Sequence, residues 1–289
     1  MALRDAVLRS YLRLPEHPTK LRVARWLGRH VFPDAGIPGR AYPGVTLLLH
    51  PRDWIEYLIL RGEAYEPRTL DFLAANLRPG DTAVLAGVNF GLHAIVAARA
   101  VGPRGRVIGV EPQPAARRRA EANFCLNDVQ DRITLVDAAL GSHEGTVPMA
   151  WSDPANAGMA SLLDVGPGFM ASVRPLHALF REHALGAPRV MLLDVQGYEV
   201  QALAGVGSLR PALAVVEVDE TCQARSGIPM GEIARALRAM DYALFDIGGA
   251  PVGESGPPGG WGTLSELNLV GVQAGASAVW NTPARDRVS

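Results

Sequence analysis

The stretch TAVLAGVNFG, residues 82–91, decides the fold of this chain. Its first half is a short run of small and apolar residues, which is typical of a buried strand over 82–87. Glycines frame the turn that follows, and the next residues predict a helix over 92–101. A strand that passes through a glycine turn directly into a helix indicates the first unit of an open α/β sheet.

The rest of the chain repeats this alternation of strand and helix. Further strands are predicted at 106–111, 133–137, 190–194, 213–217, 243–247 and 267–272, and further helices at 114–127, 198–209 and 228–240. Strands that alternate with helices of this length indicate βαβ units, so we expect a mostly parallel sheet.

Three segments stand outside the alternation. Residues 1–75 predict a mainly helical N-terminal extension or cap, before a main domain over 76–274. Within that domain, 141–188 is too long for an ordinary connection, so we interpret it as an insertion that forms a lid or faces the substrate. Residues 275–289 are expected to form a flexible tail.

Composition and charge argue against several classes of protein. The formal net charge of the 289 residues is −1, which gives no electrostatic case for a nucleic-acid partner. The apolar runs are too short to span a bilayer, and charges among the leucines of 1–14 favour an amphipathic helix over a signal peptide, so we expect no stable membrane insertion. The isolated Cys125 and Cys222 fit a reducing cytoplasm better than disulfides or zinc, and no histidine has metal-ligand spacing. Nothing here selects an oligomeric state.

The turn made by Gly87, Val88, Asn89, Phe90 and Gly91 is the first candidate binding site. A turn between a strand and a helix presents backbone N–H groups and the positive end of the helix, and glycine lets a ligand approach closely. An ordinary strand-to-helix turn is the alternative, because glycine-rich turns are common.

The second strand is predicted to end at Glu111 and Pro112. In a doubly wound sheet an acid here lies beside the first turn, where its two oxygens can accept hydrogen bonds from both hydroxyls of an adenosine ribose. A solvated surface glutamate is the alternative. The combination with the glycine turn favours the nucleotide site.

The third and fourth strand ends also carry acids. Asp137 and Ala138 follow the third strand, where a polar group could meet the adenine amine beside a small side chain, although Asp137 could equally cap a turn. Asp194 ends the fourth strand. Because the carboxyl ends of these strands meet at one edge of the sheet, we expect the acids to converge on one ligand crevice.

These residues, with others along the chain, resemble the FkbM family of S-adenosylmethionine-dependent methyltransferases. The matching stretches are Tyr65-Glu-Pro67, Gly80-Asp81, Gly87-x-Asn89-x-Gly91, Gly105-Arg-Val107, Glu111-Pro112, Asn123, Asn127, Ala138-Ala-Leu-Gly141, Gly158-Met-Ala-Ser-Leu162, Asp194-Val-x-Gly-Tyr-Glu199 and Glu217. The resemblance implies the class I methyltransferase fold, a Rossmann-like sheet of seven strands with an antiparallel last strand. It implies S-adenosylmethionine as methyl donor, and as acceptor a small molecule, the hydroxyl of a sugar or natural product.

Within this frame Asp194 and Glu199 are the candidate catalytic residues, with Asp194 favoured as the base that takes the proton of an acceptor hydroxyl. The alternative is that Asp194 caps the helix that begins near residue 197. Tyr65 and Glu66 are the candidates to hold the amino end of the methionine moiety.

The chain also departs from the family pattern. Leu85 stands where the family has an aspartate, Leu192 where it has a lysine, and Gln196 where it has a glutamate. These changes raise a second hypothesis, a catalytically impaired binding or scaffold protein with the same fold. A nicotinamide-dependent oxidoreductase is disfavoured, because it predicts a G-x-G-x-x-G turn instead of the G-x-N-x-G found here.

Four further side chains are weaker candidates. His93 could face the cofactor, His143 and His177 could reach a substrate, and Met149 in the insertion could line an apolar pocket. Packing is the commoner role for a histidine on an apolar helix and for a methionine, and the sequence identifies no partner for His143 or His177.

Overall fold

A computed structural model describes most of the chain. The described residues are 7–8, 10–12, 14–15, 17, 19–30, 36–151, 160–161, 168–257, 260–261 and 266–280. In this part of the chain no helix has the length and apolar character needed to cross a membrane.

The centre of the molecule is a sheet of seven strands. Its strands are β3 (Thr82–Ala86), β4 (Arg106–Val110), β5 (Ile133–Val136), β10 (Val190–Leu193), β11 (Leu213–Asp219), β12 (Tyr242–Asp246) and β13 (Glu266–Gln273). In the sheet they lie in the order β12-β13-β11-β10-β3-β4-β5. The strands β3, β4, β5, β10 and β11 are parallel, whereas β13 runs antiparallel to both of its neighbours. The predicted mostly parallel sheet with an antiparallel last strand is therefore confirmed.

Helices cover both faces of this sheet. They are α1 (Lys20–His30), α2 (Trp54–Leu60), α3 (Pro67–Asn76), α4 (Leu92–Val101), α5 (Pro114–Leu126), α6 (Leu176–Glu182), α7 (Glu199–Ala204), α8 (Glu220–Ser226) and α9 (Gly231–Ala239). Alternate strand residues point to opposite faces. Leu85 therefore joins the core under α3 and α4, and its neighbour Ala86 joins the core under α6, α7 and α9.

The N-terminal extension is less helical than its sequence predicts. It contains a hairpin of β1 (Ile37–Tyr42) and β2 (Val45–Leu49), joined by a turn at Pro43 and Gly44, in which Gly44 has a φ of 75°. Side chains of α5 hold this hairpin: the Oδ1 of Asn123 accepts from the N–H of Leu48 at 2.7 Å. Its apolar side chains belong to the same core as the sheet, so the extension is packed into the main domain.

The insertion is a small second sheet in its described residues. Strands β6 (Ala139–Leu140), β7 (Gly145–Trp151), β8 (Ala160–Ser161) and β9 (Gly168–Arg174) pair in the order β6-β9-β7-β8. Helix α6, which follows, packs into the main core. The described part of the expected lid or substrate-facing insertion thus contains a paired sheet followed by a helix, and the remainder, 152–159 and 162–167, lies outside the described residues.

The tail also begins in an ordered way, which corrects the expectation of a flexible segment from residue 275. The Oδ1 of Asn76 accepts from the N–H of Val279 at 2.7 Å, and its Nδ2 donates to the carbonyl of Val279 at 3.0 Å. The ring of Trp280 packs against Phe72 and Phe245. The two hydrogen bonds of the Asn76 amide and the packing of Trp280 explain why residues up to 280 are ordered. The composition of the segment did not predict these contacts. Residues 281–289 lie outside the described residues.

Candidate cofactor and catalytic site

A crevice of about 750 Å³, counted with the part that opens to solvent, lies at the carboxyl ends of β3, β4 and β10. Its floor carries Gly87, Asn89, Glu111 and Asp194, so the structure brings together the strand ends that the sequence predicted to converge. This is the expected position of a ligand in an open α/β sheet.

Gly87 is required by the protein backbone itself. Its φ is 83°, and a Cβ built on it would lie 1.9 Å from the carbonyl oxygen of Asp194. Gly91 serves helix packing, because its Cβ would lie 2.8 Å from the Cε1 of Phe124. The sequence predicts close approach of a ligand as the reason for these glycines. Their contacts give a different reason, the close approach of β3 to β10 and of α4 to α5.

The two residues between these glycines differ in role. Val88 is 4% exposed and belongs to the core under α4, so its side chain is a packing residue. Asn89 has a φ of 50° and lines the crevice, and its Oδ1 is buried without a hydrogen-bond partner among the described residues. A buried acceptor of this kind fits a ligand that supplies a donor.

Glu111 lies in the crevice with backbone donors on both of its oxygens. Its Oε2 accepts from the N–H of Asn89 at 2.9 Å, and its Oε1 accepts from the N–H of Gln113 at 2.9 Å. Burial raises the pKa of Glu111 to about 7, against these two hydrogen bonds, and the charge of Asp194 adds to the rise. Each oxygen keeps a further lone pair, so the carboxylate can still accept hydroxyl protons.

The third strand end brings only part of its predicted set to the crevice. Pro112 and Ala138 line it, and Ala138 is fully buried. The side chain of Asp137 is 68% exposed and accepts from the Nη2 of Arg117 at 2.6 Å. Its carboxylate is thus engaged at the surface, away from the place predicted for adenine.

Three carboxylates form an acidic cluster beside the crevice, and of the three Asp194 lines it. The cluster is Glu66, Asp194 and Glu217, which offer oxygens that all lie within 4.8 Å of one another. Burial raises the pKa of Asp194, and the charge of Glu66 adds to this rise, while hydrogen bonds from Glu217 and Gln196 oppose it. So much negative charge in a half-buried place suits a cationic group.

Gln196 joins two members of the acidic cluster. Its Nε2 donates to the Oδ1 of Asp194 at 2.7 Å and to the Oε2 of Glu217 at 3.1 Å. From the sequence, Gln196 is only a departure from the family pattern and Glu217 only a match to it. A pattern of neighbouring residues cannot predict this bridge, because Gln196 follows β10 whereas Glu217 lies on the adjacent strand β11.

Tyr65 and Glu66 directly precede α3, and Glu66 is itself a member of the acidic cluster. Tyr65 lines the crevice, and its ring packs against Phe90 and His93. The Nε2 of His93 lies 3.3 Å from the Oε2 of Glu66. Burial opposes the charge on His93, but the Glu66 carboxylate raises the pKa of this imidazole overall. His93 thus partners an acid of the cluster, a role that one sequence position could not reveal.

Glu199 holds the loop that carries Asp194 and Gln196. Its Oε1 accepts from the N–H groups of Val195 at 3.2 Å and Gly197 at 3.0 Å, and its Oε2 accepts from the Nε2 of Gln223 at 2.9 Å. The residue is 2% exposed and is not one of those that line the crevice. The backbone N–H groups of Val195 and Gly197, near the start of the helix that Asp194 was predicted to cap, therefore donate to Glu199.

The remaining candidates divide between the crevice and other places. Met149 of β7 lines the crevice, together with Ile55 of α2 and Tyr198, which the sequence argument did not name. The Nδ1 of His177 lies 3.0 Å from the carbonyl of Gly205, and the exposed His143 contacts Ser142. Neither of these histidines lines the crevice.

Leu85 and Leu192, two of the departures, are partners in the register of β3 and β10. They are 1% and 5% exposed, and both belong to the apolar core under α4. The two departures therefore form one apolar pair below the crevice floor.

One comparison with known proteins identifies a family for this chain. The family model described as the methyltransferase FkbM domain matches residues 86–244. No curated protein matches the sequence.

Several solved structures are similar. An SAM-dependent O-methyltransferase from Thermotoga maritima is 13% identical, with 76% of this chain and 69% of that chain covered and a TM-score of 0.43. An O-methyltransferase from Bacillus cereus in complex with SAH is 11% identical, with 90% and 93% covered and a TM-score of 0.43. Fibrillarin from Aeropyrum pernix, with natively bound S-adenosyl-L-methionine, is 12% identical, with 71% and 76% covered and a TM-score of 0.41. At these scores the structures add no argument to the family match.

Proposed function

Because the chain belongs to the FkbM methyltransferase family, whose model matches more than half of it, we propose that it methylates a hydroxyl of a small acceptor, a sugar or natural product. S-adenosylmethionine is the methyl donor of this family, and it supplies an electrophilic methyl group on a sulfonium centre. The observation that carries the proposal is the convergence of Asn89, Glu111 and Asp194 on one crevice.

The first half of the crevice fits the nucleoside. We assign the ribose hydroxyls to Glu111, because backbone N–H groups hold its carboxylate in place. The buried Oδ1 of Asn89 is a second acceptor beside it. We assign the adenine to the side of Pro112 and Ala138, where the small Ala138 leaves room for a ring. We assign no cofactor contact to Asp137, because its carboxylate binds Arg117 at the surface.

The acidic cluster fits the methionine end. The ammonium group of the cofactor and its sulfonium are both cationic, and the carboxylates of Glu66, Asp194 and Glu217 lie within one small volume. Tyr65, two residues before α3, lines the crevice and faces the three carboxylates. We therefore assign the amino end to Tyr65 and the acidic cluster, which offers a replacement for the acid that Leu85 does not provide.

Asp194 is the proposed base. It ends β10 at the crevice, and burial raises its pKa, so its carboxylate is a stronger proton acceptor than one in water. Glu199 has its oxygens engaged by Val195, Gly197 and Gln223, so we assign it to support of the loop. Positioning of the acceptor oxygen in line with the methyl group supplies the rest of the rate enhancement.

A binding screen tests the cofactor assignment. Thermal unfolding is measured with S-adenosylhomocysteine, sinefungin and NAD at one common concentration, and a ligand present at about 100 times its dissociation constant contributes about 2.7 kcal/mol. We expect the first two compounds to stabilise the protein and NAD to leave it unchanged. Stabilisation by NAD alone would overturn the proposal. A mass-spectrometric search for a gain of one methyl group then identifies the acceptor among sugars and hydroxylated natural products.

The apolar pair of Leu85 and Leu192 favours a second candidate, an impaired methyltransferase that binds ligands without turnover. It predicts the same stabilisation by S-adenosylhomocysteine, with no methylated product from any acceptor. Any acceptor that gains a methyl group in the presence of the protein removes this candidate.

We propose the cytoplasm as the site of action. The structure leaves both Cys125 and Cys222 as free thiols, a state that a reducing compartment preserves.

A further inference from the structure

Gln196 occupies an unusual position in the crevice. It has a φ of 53°, in the left-handed region that side chains other than glycine rarely adopt, and Gly197 follows with a φ of 96°. The carboxylate of Glu199 holds this turn through the N–H groups on both sides of Gln196. The side chain is thus aimed at its partners by a fixed backbone.

The orientation of the Gln196 amide follows from its neighbours. An amide nitrogen has two N–H donors, and here one nitrogen lies 2.7 Å from Asp194 and 3.1 Å from Glu217. Reversing the amide would place its oxygen against two carboxylates, a repulsive contact. The oxygen points instead to the Sγ of Cys222 at 3.5 Å.

Two carboxyl groups this close normally retain one proton between them, because the second negative charge is unfavourable. A donor that is shared by the two carboxylates acts against this tendency, because hydrogen bonds to a carboxylate stabilise its ionised form. Other groups also act on Asp194. Those facing it from the surrounding elements are Tyr65, Glu66, His93, Glu111, Glu199 and Glu217.

We propose that Gln196 is a positioning residue that bridges Asp194 and Glu217, favours their ionised forms, and sets the pH at which the pair gives up its shared proton. The consequence for function rests on the proposed methyl transfer: this pH also governs when the acidic cluster holds the cationic end of the cofactor and when Asp194 can accept a proton.

Two variants separate the roles of donor and charge. Gln196→Met keeps the length of the side chain and removes both donors, whereas Gln196→Glu places a third carboxylate between Asp194 and Glu217. Gln130→Glu makes the same change of charge at an exposed position in the 3-10 turn Gln130–Arg132, and it serves as the matched control.

The readouts are the affinity for sinefungin, which carries an amine near the sulfonium position, and the unfolding free energy of the free protein, both between pH 5.5 and 8.5. We expect Gln196→Glu to move the midpoint of both pH profiles up by about one unit or more, Gln196→Met to move it up by less, and Gln130→Glu to leave it in place. The stability of Gln196→Glu relative to the wild type should fall as the pH rises, because a proton retained by the folded state is lost over that range.

The Met variant decides the proposal. If Gln196→Met folds and keeps the wild-type midpoints, the amide donors do not control the pair, and the proposal is overturned. A Gln196→Glu profile that coincides with the wild type overturns it as well. If the wild type itself does not bind sinefungin, the proposed function fails, whereas the stability profiles of the free protein still test Gln196.

Discussion

Glu111 and Asp194 end two strands that flank β3, and both are buried acids in one crevice, yet the protein holds them differently. Backbone N–H groups of Asn89 and Gln113 bind Glu111, whereas side chains of Gln196 and Glu217 surround Asp194. A carboxylate held by the backbone depends on the fold alone. One held by side chains can be retuned by single substitutions, so the two ends of the crevice should respond differently to mutation.

The largest effect is expected when a new acid is introduced where neither backbone N–H groups nor polar side chains can bind it. Leu85→Asp would bury a carboxylate opposite Leu192, and an unpaired buried charge costs about 3–5 kcal/mol. Urea unfolding at pH 8 measures this loss. The similarly sized Leu85→Met should cost less than about 1.5 kcal/mol.

The same variant carries a further test. Adding Leu192→Lys to Leu85→Asp should recover part of the lost stability, because the two positions are register partners on adjacent strands. If Leu85→Asp unfolds with wild-type stability, the position has access to water or to donors that its apolar surroundings do not suggest.

The next effect concerns the end held by side chains. Asp194→Asn should lower turnover by about 10²-fold or more, because an amide cannot take the proton of the acceptor hydroxyl. Steady-state kinetics measure turnover, and calorimetry with S-adenosylhomocysteine shows whether the site remains intact. Asp219→Asn is the control, since Asp219 ends the neighbouring strand β11 and caps α8 through the N–H of Cys222. Near-normal turnover of Asp194→Asn would leave positioning as the whole of catalysis.

A smaller effect is expected at the end held by the backbone. Glu111→Ala should weaken S-adenosylhomocysteine binding by about 1.5–3 kcal/mol, the range for hydrogen bonds to a charged group. Asp137→Ala, which removes the exposed acid paired with Arg117, should change the affinity by less than about 0.5 kcal/mol. Calorimetry measures both, and equal losses would contradict the assignment of the ribose to Glu111.

The smallest effect is a pH dependence at Glu111. Burial raises the pKa of Glu111 to about 7, and ribose hydroxyls bind the ionised form. Affinity for S-adenosylhomocysteine should therefore rise about tenfold from pH 6 to pH 8 and level off above the pKa, with release of a proton. Titrations in buffers of different ionisation enthalpy measure that proton. The affinity of Glu111→Gln should depend less on pH. If the affinity of the wild type does not change between pH 6 and pH 8, ligand binding is not coupled to ionisation of Glu111.

The difference between the two ends also explains what the sequence could predict. Glu111 and Asp194 follow strands with clear apolar patterns, so the order of strands was enough to bring them to one crevice. The bridge from Gln196 to Glu217 depends on side-chain rotamers and on a left-handed turn, for which a linear pattern carries no signal.

Two segments were predicted less well for the same reason. The hairpin of β1 and β2 is held by Asn123 of α5 and by Asn127, which caps the end of α5, and the start of the tail is held by Asn76 of α3. In both cases side-chain amides far along the chain bond to backbone groups. Secondary-structure propensities, which depend on neighbouring residues, cannot predict such contacts.

The close approach of Gly87 to Asp194 has a consequence for how this crevice can evolve. A Cβ at residue 87 would collide with the carbonyl oxygen of Asp194 whether or not a ligand is bound. Selection for folding alone would therefore keep glycine there in a descendant that had lost methyl transfer. An alignment in which this glycine never varies would record the spacing of two strands, and it would be a poor marker for sorting active relatives from inactive ones.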